Sequence, residues 1–147
     1  MVAIATQHDD PGQAAALQLA VQRIVRNDAE CRLAVVTVIP PFPLLGTSNP
    51  NESGGGEQIR HQLALRHWAR ELKLPAERVT FHVIEGSDPA EVLLRYARTN
   101  AVDQIVIGAP PVVGAPTIGV GYKTVLGTVA SRVALDAPCT VTLVRGR

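Results

Sequence analysis

Net charge is almost absent from this sequence: 14 Lys and Arg oppose 13 Asp and Glu, leaving +1, and charged residues make up 18% of the chain. A module held to nucleic acid by phosphate neutralisation carries a basic excess, so the balance argues against DNA or RNA as partner. It also supplies no basic amphipathic face for a membrane surface. Cysteine is nearly absent too. The two present, Cys31 and Cys139, flank different apolar runs and, without secretory signals, are expected to be small buried side chains rather than a disulfide. The opening MVAIATQHDD has no basic stretch before an apolar core, so it does not resemble a signal peptide, and a cytoplasmic location is expected. No charged residue lies between Gln104 and Tyr122, but Pro110, Pro111, Pro116 and four glycines break any helix there. A strand followed by a loop is expected instead of a membrane span.

What is present is apolar mass. Of 147 residues, 46% are hydrophobic, enough for one sizeable core and too little for two, so a single domain over 1–147 is expected. Short β-branched runs alternate with longer stretches of helical period, the pattern of a parallel sheet covered on both faces. The predicted strands are Val2–Thr6, Leu33–Ile39, Val79–Ile84, Gln104–Ile107 and Thr140–Val144. The first helix is predicted over Gly12 to Arg26, with Leu17, Val21, Ile24 and Val25 inward. The second runs from about Glu57 to Lys73 with Leu65, Trp68, Ala69 and Leu72 on one face, and Pro75 stops it. Ser87 or Asp88 caps the third, with Pro89 in the first turn and Glu91 at capping-box spacing. A fourth is predicted from about Thr124 to Leu135. The segment from Pro40 to Glu57, rich in Pro, Gly, Ser and Asn, is expected to be a surface insertion, with a lid over the strand ends as the alternative.

In an open α/β sheet, ligands bind beyond the carboxyl ends of the strands, so the loops that begin at Thr6, Pro40 and Gly108 matter most. The loop after the fourth strand leads through Gly127 and Thr128 into the last helix. A helix start offers unpaired N–H groups and the positive end of its dipole, glycine admits close approach, and a hydroxyl adds a donor. This is a candidate phosphate cradle. Other candidates carry less. His8, Asp9 and Asp10 have the composition of a turn, with a metal or acid–base cluster as the alternative. His61 and His67, six apart, fall on different helix faces and give no metal pair. His82 is expected to be a hydrogen-bonded structural side chain and Trp68 a core residue. Lys123 is either an exposed lysine or a phosphate contact.

The stretch GSDPAEVLLRYARTNAVDQIVIG, a glycine-rich loop, and then GTVASRVALDAPCTVTLVR resemble the C-terminal half of the universal stress protein family. The first helix and first two strands fit the same layout. The resemblance implies an open five-stranded parallel Rossmann-like sheet in the order 3-2-1-4-5, helices on both faces, and a homodimer paired through 140–144. It also implies ATP or another adenine nucleotide at the strand ends, and leaves open whether Mg²⁺ accompanies it. Carried over by position, Val38 contacts adenine, Ile107 and Gly108 line base and ribose, and Gly127, Thr128 and the Val129 N–H face the phosphates. The family's phosphate motif is Gly, two residues, Gly, nine residues, Gly, then Ser or Thr. Counted back from Gly127, its first glycine falls on Gly114, but Thr117 stands at the second. The aspartate expected after the first strand is replaced by Gln7 or His8, and neutral His does not replace a carboxylate acceptor. The alternative is therefore an interaction module without nucleotide, acting through its dimer edge and the 40–57 loop. No catalytic residue or metal ligand is assigned: the positions a phospho-acceptor receiver would need hold Glu85-Gly86, Gly108-Ala109 and Arg145, and the first turn lacks a dinucleotide-binding glycine fingerprint.

Overall fold

The structure, a computed structural model, describes residues 1–5, 11–41, 54–109 and 128–146. In chain order its elements are β1 (Val2–Ala5), α1 (Pro11–Asn27), β2 (Leu33–Ile39), α2 (Gly54–Ala69), β3 (Val79–Glu85), α3 (Pro89–Thr99), β4 (Gln104–Gly108), α4 (Thr128–Asp136) and β5 (Thr140–Val144). Two short 3₁₀ turns, Arg70–Leu72 and Ala76–Arg78, join α2 to β3. All pairings are parallel and the strand order is 3-2-1-4-5, as expected. Register places Val2 beside both Leu33 and Gln104, Leu33 beside Val79, and Gln104 beside Thr140, so all five strands start level.

Period-two alternation sorts the strand side chains onto two cores. Val2, Ile4, Leu33, Val35 and Val106 pack with Leu17 and Val21 of α1 and Leu65 and Trp68 of α2. On the other face Ala3, Ala34, Val36, Ile105 and Ile107 meet Leu93 and Ala97 of α3 and Ala130 and Val133 of α4. Trp68 donates from Nε1 to the Ala14 carbonyl at 3.0 Å, and Gln18 donates to the Trp68 carbonyl at 2.9 Å, so the two helices are also bonded to each other. His82, on edge strand β3, pairs its Nε2 with Thr80 Oγ1 at 2.8 Å and lies against the Tyr96 ring. Both it and Trp68 therefore take the structural places expected of them.

Helix boundaries show where local propensity was overruled. α2 begins at Gly54, before the expected Glu57. Each glycine is about 1 kcal/mol less favourable than alanine in a helix, which is why the sequence pattern starts later. Its last turn tightens to 3₁₀, and Lys73 ends it in the left-handed region at φ 52°, two residues ahead of Pro75. Residues 124–127, where the start of the fourth helix was predicted, and the bulk of the 40–57 segment lie outside the described residues.

Asp88 caps α3 by accepting from the Glu91 N–H at 3.2 Å. Glu91 is turned instead toward α4, where its carboxylate accepts from Arg132 at 3.0 Å, and Arg132 also bonds Asp88. One guanidinium thus fastens the start of α3 to the middle of α4. The Arg132 hydrogen bond, helped by the Glu91 amide, holds the Asp88 carboxyl below its ordinary range. A depressed carboxyl contributes stability above its unfolded pKa and loses it as pH falls through the folded one. Asp88→Ala is therefore expected to lower Tm at neutral pH by a few degrees, with the gap to the parent closing as the solution is acidified through the carboxylate range. A gap independent of pH in thermal melts contradicts the clasp.

Cys31, buried just before β2, and Cys139, half-buried just before β5, are both free. β1 and β4 lie between them, roughly 14 Å of sheet at the usual strand spacing, beyond the reach of a disulfide. Burial raises both thiol pKa values.

Candidate functional site

With the order 3-2-1-4-5, β1 connects onward to β2 on one side and β4 to β5 on the other, and in open α/β sheets such a reversal of strand order marks where a crevice for ligands forms above the carboxyl ends. The register sets the floor of this crevice: Ala5 of β1 stands beside Val36 of β2 and Ile107 of β4, and Gly108 beside Val144 of β5.

Val38 lies one residue before the end of β2, paired with Ile84 and half-buried against the α3–α4 core. Ile107 is buried in that same core, so its side chain is committed to packing. Thr128 and Val129 are the first two residues of α4; Thr128 is exposed and Val129 packs on the core. Their amides belong to the first turn, which has no intrahelical acceptor, and no acidic side chain stands in that turn to compete for an anion. The helix start is thus chemically fit for a phosphate. Gly114, Gly127 and His8 lie outside the described residues. Of the seven principal positions, five can therefore be placed, all of them on strand ends or at the start of α4.

Gly108 carries a feature that sequence reasoning missed. A Cβ there would fall on Gln13 Nε2 and come within 2.9 Å of Gln13 Cδ. Gln13, in the first turn of α1, is only 7% exposed. Its Nε2 donates to the Val144 carbonyl at 2.8 Å and its Oε1 accepts from the Gly146 N–H at 2.9 Å. The same Val144 carbonyl accepts from the Ala109 N–H at 2.8 Å. The absence of a side chain at Gly108 thus admits the Gln13 carboxamide, whichever ligand lies above. The available signal was a polar residue four before Leu17 on the inward stripe of the first helix.

A cleft of about 450 Å³ opens at the opposite, amino-terminal end of the sheet, lined by Asp28, Glu30, Cys31, Arg32, Asp103 and Thr140 among others. Its three carboxylates outnumber the one arginine and the N-terminal ammonium, which is itself paired with Asp103, so it is a poor seat for a phosphate. Among the described residues no group of three His, Cys, Asp or Glu side chains is placed to hold a metal ion, and no helix is long and apolar enough to cross a membrane.

Comparison with known proteins agrees with this architecture. Residues 1–145 match the model of the universal stress protein family. Among solved structures, the chain is similar to universal stress protein UspA from Lactobacillus plantarum at 20% identity, covering 98% of this chain and 97% of that one with a TM-score of 0.67. It is similar to a universal stress protein in complex with cAMP, at 16% identity, 100% and 98% coverage and a TM-score of 0.67. It is also similar to the universal stress protein from Archaeoglobus fulgidus in complex with dAMP, at 18% identity, 97% and 95% coverage and a TM-score of 0.61. With the fold in register and the family model spanning all but the last two residues, the chain belongs to the universal stress protein family.

Proposed function

We propose that this protein is a regulatory, cytoplasmic domain over 1–147 that binds ATP or a related adenine nucleotide above the carboxyl ends of β1 and β4. The observation that carries the reading is the start of α4: exposed Thr128 and first-turn amides with no acidic residue in that turn, in a family with solved members in complex with cAMP and dAMP. In this reading Val38 and the backbone at Ile107 and Gly108 take the base and ribose. Gly114, Gly127, Thr128 and Val129 take the phosphates, and His8 borders the ribose. The protein pairs as a homodimer along β5, a terminal strand that among the described elements is bonded to β4 alone, so its second edge has no strand partner there.

Titration with labelled ATP tests the nucleotide reading. Saturable binding below millimolar ligand is expected, weakened about tenfold in Thr128→Val, the loss of one charge-assisted hydrogen bond. Unchanged affinity in Thr128→Val combined with Gly127→Ala rejects the site, and no saturable binding rejects the function. Sedimentation showing only monomer at micromolar concentration rejects the dimer. The Gln13 carboxamide on Gly108 favours a second reading, an interaction module that works through the β5 edge and the 40–57 segment without nucleotide. Protein purified with stoichiometric bound nucleotide decides against it.

A further inference from the structure

We infer that Gln13 links the strand-end crevice to the edge strand, so that a ligand seated over Gly108 is registered at Val144 and Gly146. This inference rests on the nucleotide reading above and extends it to regulation.

The link is continuous and made of short contacts. The Gln13 carboxamide lies on the Cα of Gly108, the last residue of β4. From there one amide group reaches the last carbonyl of β5 at 2.8 Å and the other receives the Gly146 amide at 2.9 Å. The tail itself packs against α1, since a Cβ on Gly146 would stand 3.2 Å from the Gln13 Cα. The orientation of the carboxamide follows from its partners. A flip would set donor against donor at Gly146 and acceptor against acceptor at Val144.

Buried side chains at this packing density do not yield continuously. A shift of the Gly108 backbone either leaves both Gln13 bonds closed or releases them together, and the Val144 carbonyl shares its second bond with Ala109, the first residue beyond β4. In this proposal the clip seen closed here has a released alternative, and it lies one contact from Gly108 and one from the edge strand. A ligand that favours the closed arrangement favours an ordered β5 end, and by linkage an ordered β5 end favours the ligand.

Amide hydrogen exchange followed by NMR on the full chain, with ATP as probe and its binding measured separately by calorimetry, tests the link. In the parent protein, saturating ATP is expected to slow exchange at Gly146 by about fivefold or more, the lower end of ordinary coupling between sites. In Gln13→Met, which keeps the length but not the hydrogen bonds, ATP still binds, and Gly146 exchanges fast with and without it. ATP binding that leaves Gly146 unchanged in the parent overturns the inference, as does a Gln13→Met protein that retains the ATP effect. Absence of any saturable ATP binding overturns the nucleotide reading and this inference together, and calorimetry tells that case from the others. If Gln13→Met does not fold, Gln13→Glu keeps the acceptor for Gly146 and loses the donor for Val144. Its ATP effect at Gly146 is then expected to be smaller than in the parent, and an equal effect overturns the link.

Discussion

Trp68→Ala is expected to cost about 3–5 kcal/mol, the usual range for truncating a large buried aromatic. For a domain of this size, that corresponds to a fall in Tm of about 10–15 °C. The indole is 8% exposed and lies where α1, α2 and the sheet meet, with Leu17, Val21, Leu65 and Val35 in the same core. Its loss opens a void that the two helices are poorly able to collapse into, because the Gln18 bond to the backbone of residue 68 remains and fixes their spacing. Trp68→Phe separates the two contributions. It keeps most of the apolar contact and removes the Nε1 donor to Ala14 together with a small part of the ring, for an expected cost of about 1–2 kcal/mol. Urea unfolding of both variants measures this. Equal costs for the two would mean that the hydrogen bond, rather than the packing, holds the helices together.

Gly108→Ala is expected to cost about 2–3 kcal/mol by a route that involves no collision with backbone. The atoms a new Cβ would meet all belong to the Gln13 side chain. That side chain can swing away, and the cost is what it leaves behind: the Gly146 amide without its acceptor, the Val144 carbonyl with one partner instead of two, and lost packing above β4. Gln13→Ala breaks the same bonds, so the two single variants are expected to lose similar stability. The double variant should be no worse than either, because the added methyl then enters space already vacated. Neighbouring sites that share partners depart from additivity in this way. Full additivity in the double-mutant cycle would show that Gly108 is required for something other than Gln13.

The fold was legible because its signals are local. Strands such as Leu33–Ile39 are continuously apolar, as burial on both faces requires, and the stripe of Leu65, Trp68, Ala69 and Leu72 has a helical period. Asp88 and Pro89 announced α3 within two residues, since a cap and a pre-set φ act on the adjacent turn. The candidate site was legible only in its outline. Val38, Ile107 and Thr128 stand at strand ends and a helix start, as their positions in the pattern require. The Gln13 clip was not legible. It joins residues 131 and 133 positions apart through a side chain and main-chain groups, and neither end has a spacing that marks it. Glu91 shows the same limit on a smaller scale: its spacing from Asp88 suggested a reciprocal cap, and tertiary contact with Arg132 took its carboxylate instead.

The two sulfur atoms have a consequence for what this protein can respond to. Attack on peroxide or on another sulfur proceeds through the thiolate, and burial disfavours that form at both Cys31 and Cys139. With two strands of sheet between them, neither can resolve an oxidised partner within the same chain. Oxidation at either sulfur therefore starts from a thiol held toward its protonated form, and any disulfide it makes has to be with a second molecule.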